Sequence, residues 1–202
     1  MTVTLGVLSV QGDVEENLGA ARQALSEMSV SGEVIQVKTP SAVSAVDAII
    51  IPGGESTTIG RLSMAGDTLA ALRERLNSGM PALGICAGLI LLSSQVYDRR
   101  MGSTGQPLLG VLDVRLERNS FGRQRQSFET DIDMEPLGIT GFRGVFIRAP
   151  SVTAVSPEVE VLASVDGRIV AVRRGGIVGT SFHPELSGNA ALHRNLVDAA
   201  RR

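Results

Sequence analysis

The first half of the chain alternates short β-branched runs with longer stretches whose apolar residues recur at helical spacing. Residues 4–10 read as a strand, 14–28 as a helix, 33–38 as a second strand and 47–51 as a third, which Pro52 ends. Leucines at 69, 72 and 76 place an apolar stripe on a helix over 66–78, and Gly79 with Pro81 stops it before a strand at 82–85. The apolar run 87–96 reads as a buried helix. Short strands alternating with longer helical stretches are the sign of βαβ units and a mainly parallel sheet, so the fold class is α/β.

The second half loses the helical spacing. Residues 111–117, 127–133 and 144–148 read as strands with no helix between them. The stretch 159–182 reads as three strands broken at Asp166-Gly167 and Gly175-Gly176. Antiparallel hairpins are therefore expected to extend the sheet, and a helix over 189–201 closes the chain. No repeat, low-complexity segment or linker divides the 202 residues, a length that suits one domain over 1–202.

Charge narrows the range of partners. Nineteen basic residues against 21 acidic ones leave a formal charge of -2, which gives no electrostatic footing for nucleic acid or an anionic membrane. A small neutral or zwitterionic ligand suits this balance better. A single cysteine forms no internal disulfide, and the first residues lack the basic and apolar segments of a signal peptide, so a cytoplasmic location is expected. No apolar run approaches the ~20 residues of a membrane-spanning helix, and the slightly positive mean hydropathy is ascribed to buried strands.

Candidate chemistry centres on that cysteine. Gly84-Ile85-Cys86-Ala87-Gly88 follows an apolar strand and precedes an apolar helix, the setting of a nucleophile elbow with Cys86 in the nucleophile's place. The flanking glycines are expected to let the backbone turn sharply, and the positive end of a helix dipole there favours a thiolate. A lone cysteine in an apolar run is more often a small buried hydrophobe; the glycine spacing is what tips the reading.

Of the two histidines, His193 is expected on the solvent face of the terminal helix. His183 begins His183-Pro184-Glu185 at a strand end. Pro184 favours extended backbone before it, so His183 and Glu185 are expected to point the same way, the carboxylate orienting the imidazole. The plain alternative is a histidine in a turn beside a solvated glutamate. Pro52-Gly53-Gly54-Glu55-Ser56-Thr57-Thr58 follows the third strand, and its position raises the value of an otherwise ordinary Gly-Gly turn. Loops at the carboxyl ends of neighbouring strands meet over one crevice. The N–H groups of Gly54 and Ala87 are thus candidates for an oxyanion hole, and Glu55 for an ammonium partner. Arg118 with Asn119-Ser120-Phe121-Gly122-Arg123, and Phe146-Ile147-Arg148-Ala149-Pro150, add cations whose default role is surface solvation.

Taken together, VQGDV at 10–14, PGGEST at 52–57, GICAGLILL at 84–92, ERNSFGRQ at 117–124, GVFIRAP at 144–150 and SFHPEL at 181–186 resemble the glutaminase subunits of pyridoxal 5′-phosphate synthases. PGG and HPE recur across class I glutamine amidotransferases; CAGLILL, RNSFGRQ and VFIRAP look specific to this subunit. The resemblance implies a flavodoxin-like three-layer fold and a triad of Cys86, His183 and Glu185. It also implies L-glutamine contacts from Gly54, Glu55, Ser56, Arg118, Ile147 and Arg148, with no cofactor and no metal. Gln11 is placed near the interface with a TIM-barrel synthase in a large hetero-oligomer, through which ammonia passes without entering bulk water. Two departures stand out: Glu16-Asn17 where the family often has Glu-His, and Ser187-Gly188-Asn189 where it often has an acidic residue after HPEL, with Asn189 still able to cap the last helix. Two rival readings remain: a glutaminase of another class I amidotransferase, or a catalytically silent binding subunit. A cysteine peptidase sharing the elbow is a more distant third.

Overall fold

Four consecutive buried residues, Ala48–Ile51, form strand β3. A strand with no polar side must be covered on both faces, and such strands sit in parallel sheets. β1 (Val3–Leu8) runs parallel to β3 on one side and to β2 (Gly32–Val37) on the other. β4 (Ala82–Ile85) pairs in parallel with β3, and β13 (Ile177–Thr180) with β4. Beyond β13 the direction reverses. β12 (Arg168–Arg174) is antiparallel to it and carries β11 (Glu160–Val165). β10 (Ser151–Val155) joins β12 to β7 (Leu112–Arg118), and β5 (Ser93–Asp98) with β6 (Gly102–Ser103) completes that edge. This computed structural model describes residues 2–98, 102–121 and 127–202.

Alternation along the central strands sorts side chains into two cores. Ile50, Leu83 and Ile85 face α1 (Val14–Glu27) and α6 (Ala191–Ala200), while Ile49, Ile51 and Ala82 face the other layer. That layer holds α2 (Pro40–Ser44), α3 (Ser56–Ala65), α4 (Thr68–Asn77) and α5 (Ala87–Leu92). The result is the expected three-layer α/β arrangement. None of the described helices is long and apolar enough to cross a membrane.

The second half departs from expectation in one respect. β11, β12 and β13 extend the main sheet, but β8 (Ser127–Met134) and β9 (Ile139–Ile147) pair only with each other, as a separate hairpin on the α1/α6 side. Its inward residues join all five phenylalanines of the chain. Phe128 stacks on Phe146 with centroids 4.5 Å apart, Phe121 packs on both, and Phe146 and Phe142 meet Phe182 at 5.6 and 5.7 Å. Aromatic contacts at these separations add to area burial, so the hairpin is fastened to the end of β13.

The helix expected over 87–96 is corrected: it stops at Leu92, and Ser93–Asp98 is the strand β5. The serine pair explains this. Ser93 Oγ donates to the Ile90 carbonyl at 2.7 Å, and Ser94 Oγ donates to Val114 O and Asp113 Oδ1, both at 3.0 Å. Such side-chain bonds compete with continuing the helix. The stretch after Pro52-Gly53-Gly54, expected as loop, becomes helix α3 from Ser56 because Glu55 caps it.

Candidate active site

The loops after β1, β3, β4 and β13 all lie at the carboxyl ends of neighbouring strands, where open α/β sheets place their ligands. Cys86 sits between β4 and α5 with φ 50° and ψ -96°, a conformation L residues rarely adopt. Its N–H donates to the Thr180 carbonyl at 2.7 Å, tying the turn to the end of β13. The flanking glycines serve another purpose than the one expected, since the left-handed turn is at Cys86 itself. A Cβ on Gly88 would lie 2.0 Å from the Ile51 carbonyl oxygen, and one on Gly84 would lie 2.3 Å from Leu92 Cδ1. They let α5 press against the strands, which fixes where the thiol points.

His183 is 4% exposed, and its N–H donates to the Val145 carbonyl of β9 at 2.8 Å. Its Nδ1 lies 2.8 Å from Glu185 Oε1. The pair meets through a 3-10 turn over Pro184–Leu186 rather than along a continuing strand, so the expected partnership holds by a different local geometry. Nδ1 also lies 3.4 Å from Asp13 Oδ2. Burial draws the imidazole toward its neutral form, but hydrogen bonds with Asp13, Cys86 and Glu185 outweigh it and push His183 up to about 12. The same contact with His183 holds Asp13 below the usual carboxylate range against its partial burial. With Nδ1 occupied by carboxylates, Nε2 is the nitrogen left for Cys86. Asp13 was not singled out from the sequence, although it stands inside VQGDV.

Two glycine-rich loops interlock beside this group. Asp13 N–H donates to the Gly53 carbonyl at 3.1 Å, and Glu55 N–H donates to Gln11 Oε1 at 2.9 Å. Gly12, at φ 114°, admits the Gly53 oxygen to within 1.9 Å of where a Cβ would stand. Gly54, at φ 149°, lies against Gln11 and Gly12 in the same way. Gln11 thus touches the loop that carries Gly54, and Ala87 opens α5 beside Cys86.

The remaining expected residues divide. Glu55 caps α3 through Thr57 N–H and Thr58 N–H, at 3.2 and 2.7 Å, and pairs with Arg118 at 3.2 Å. Its partial burial opposes ionisation, but the Thr58 hydroxyl and the two amides outweigh that and hold its carboxyl at about 2. Ser56 is 2% exposed and turns its hydroxyl onto Gln106, at 3.2 Å. Ile147 and Arg148 are exposed at the end of β9, and Arg148 has φ 45°. Gly122, Arg123 and Gln124 lie outside the described residues. His193 is corrected: it is fully buried, with Nε2 3.4 Å from Asn17 Oδ1, and burial pushes it down to about 4. The N-cap expected of Asn189 is corrected: Ala190 holds that position with no side-chain cap bond, and Asn189 Oδ1 accepts from Ala191 N–H at 3.0 Å in the turn that leads into α6.

Asp13, His183 and Glu185 gather possible metal-ligand atoms within 4.8 Å of one another. The 2.8 Å separation of Nδ1 and Glu185 is, however, that of a direct hydrogen bond, with no room for an ion between them. A groove of about 600 Å³ runs along β5, β7 and the segment 103–108, and none of the expected site residues lines it. Chemistry rather than volume therefore picks out the site at Cys86.

Known proteins resemble this chain along nearly its whole length. The chain is 47% identical to "Pyridoxal 5′-phosphate synthase subunit PdxT" of Nitrosopumilus maritimus (strain SCM1), over 100% of its own length and 98% of the relative's. It is 46% identical to the protein of the same name from Pyrobaculum arsenaticum (strain DSM 13514 / JCM 11321 / PZ6), with 97% of each covered. A crystal structure described as a glutamine amidotransferase superposes with a TM-score of 0.86 at 40% identity, covering 98% of this chain and 99% of that one. A glutamine amidotransferase structure from Thermotoga maritima, 14% identical with a TM-score of 0.61, shares the fold. The SNO glutamine amidotransferase family matches residues 7–200, and the chain belongs to that family.

Proposed function

We propose that the chain is a single-domain glutaminase that hydrolyses L-glutamine to L-glutamate and ammonia and hands the ammonia to a synthase subunit making pyridoxal 5′-phosphate. The observation that carries this reading is the strained elbow at Cys86 beside a buried His183 whose Nδ1 is held by Glu185 at 2.8 Å. His183 takes the thiol proton, and Cys86 Sγ attacks the side-chain amide carbon of glutamine. The tetrahedral oxyanion is received by the N–H groups of Gly54 and Ala87. His183 then gives its proton to the leaving nitrogen, ammonia departs, and water activated by the same imidazole opens the thioester.

Glutamine enters as a zwitterion. Glu55 and Arg118, paired at 3.2 Å and part open to solvent, present opposite charges that its ammonium and carboxylate can divide between them. Ser56 contributes through its place at the start of α3, and Ile147 and Arg148 close the far side. The partner is a TIM-barrel synthase subunit in a large hetero-oligomer in the cytoplasm, with Gln11 at the contact.

Docking also gates the reaction. The Gly53 carbonyl is held by Asp13 N–H, so reorienting the Gly53-Gly54 peptide breaks one hydrogen bond, and two glycines make the rotation cheap. The chain alone is slow for this reason, and the partner selects the competent peptide. The test is glutamate and ammonia release with and without the synthase subunit, together with labelling by a glutamine-like electrophile. Label on Cys86 and turnover raised by the partner are expected. Glutamine hydrolysis surviving in purified Cys86→Ala removes the nucleophile assignment, and equal rates in the two conditions remove the gating.

A further inference from the structure

The structure assigns Asp13 as a second carboxylate of the His183 base, a positioning residue that stabilises the imidazolium formed when Cys86 gives up its proton; this rests on the glutaminase reading above. Four observations carry it. Asp13 stands at the N-cap of α1, where an aspartate ordinarily accepts a hydrogen bond from the first turn, yet its side chain makes no such bond and reaches His183 instead.

Its backbone is anchored on both sides. The N–H is committed to Gly53, and the carbonyl accepts from the side chain of Asn17 at 2.8 Å. Asn17 is fully buried, and His193 holds its other end from α6. The neutral His193 donates from Nε2 to Asn17 Oδ1, so the buried pair acts as a bracket for the loop that carries Asp13.

The approach of the carboxylate to the ring depends on Gly53. A Cβ there would lie 2.5 Å from His183 Cε1 and 2.6 Å from Asp13 Oδ2. Any other residue in that place wedges the two apart.

Finally, the two carboxylates differ in a useful way. The Glu185 side chain is sealed from solvent, and its Oε2 has no hydrogen-bond partner among the described residues, so Glu185 gives the ring one short, fixed bond. Asp13 is 42% exposed at its side chain and keeps its own hydration. Charge on the ring is thus met by one dry carboxylate that orients and one wet carboxylate that neutralises at little desolvation cost. The proton step itself moves one proton from Cys86 Sγ to His183 Nε2 and breaks no other bond. The charged or titratable groups facing His183 are Asp13 from the β1–α1 loop, Cys86 from the β4–α5 turn and Glu185 from its own turn.

The test is Asp13→Asn, which keeps shape and backbone and removes the charge. Two pH profiles are measured: kcat/KM for glutamine with the synthase subunit present, and the rate of Cys86 alkylation by iodoacetamide in the chain alone. The acid limb of both is expected to move to lower pH by roughly one unit, because the protonated pair loses an anion that held its proton, and one unit is the low end of what an opposite charge within ~4–6 Å supplies. KM should stay within about twofold, because Asp13 meets the base rather than the substrate. Asp13→Glu should return the limb toward the wild-type position. Profiles of Asp13→Asn that superimpose on wild type overturn the assignment. Absence of glutamine turnover by the wild-type complex overturns the glutaminase reading instead, and the alkylation profile still decides the role of Asp13.

Discussion

His183 and His193 are both buried, on elements that pack against the same face of the sheet, and they have been driven in opposite directions. Around His183 stand Asp13, Cys86 and Glu185, and its proton is held up to about 12. Around His193 stand apolar side chains and one amide, and its proton is lost down to about 4. Desolvation acts with the same sign on both rings, toward the neutral form. The whole difference therefore comes from anions within reach of one ring and not of the other. Burial alone does not make a histidine a base, and a histidine without charged neighbours is a neutral structural donor.

The sharpest way to break this contrast is to remove each ring in turn. His183→Asn should lower kcat/KM for glutamine about 10³-fold or more, within the range general acid–base catalysis supplies, whereas His193→Asn in the folded protein should stay within about threefold. Comparable losses would erase the distinction.

Next in size is a stability effect. A histidine whose folded-state proton affinity is depressed contributes stability above its unfolded value of about 6.5, and that contribution is lost as pH falls toward 4. Lowering the imidazole from its ordinary 6.5 to about 4 corresponds to roughly 3 kcal/mol. Urea unfolding of wild type and His193→Gln at pH 7 and pH 4 should show a decline steeper in wild type by about that amount. Equal declines would mean that His193 is not the neutral buried group described.

A smaller effect tests the charged side of the contrast. Gly53→Ala pushes a methyl between His183 and Asp13, and displacements of this kind, about 1 Å, cost up to roughly 10² in kcat with little change in KM. A normal kcat would show that the loop absorbs the methyl and that the close approach is dispensable.

Much of this was readable from the chain alone, and the misses share a cause. β-branched runs, one of them stopped by Pro52, gave the parallel strands, and Gly79 with Pro81 marked the end of the helix before β4, because strand burial and turn chemistry are local. The elbow at Cys86 and the Pro184-spaced pair His183 and Glu185 were legible for the same reason. His193 was misplaced because its burial depends on Asn17, 176 residues away. Its neighbours Leu192, Leu196 and Val197, all buried, put it on the inward stripe of α6, and treating histidine as a polar residue hid that stripe. Asp13 was overlooked because its partner is reached across a gap that exists only where Gly53 lacks a side chain. The end of α5 was missed because two serines outbid an otherwise apolar run for backbone carbonyls.

The left-handed backbone at Cys86 sets the needs of the reaction against those of the fold. Every side chain at that position bears a conformational strain of about 1–3 kcal/mol, and only glycine escapes it. Two inactive variants should then differ in durability: Cys86→Gly should outlast Cys86→Ala by roughly 1 kcal/mol, after glycine's greater freedom in the unfolded chain is set against the relief. Thermal melting of the pair reads this directly. A lineage that no longer needed ammonia from this subunit would find its sturdiest form one substitution away, at the very residue that had made the subunit useful.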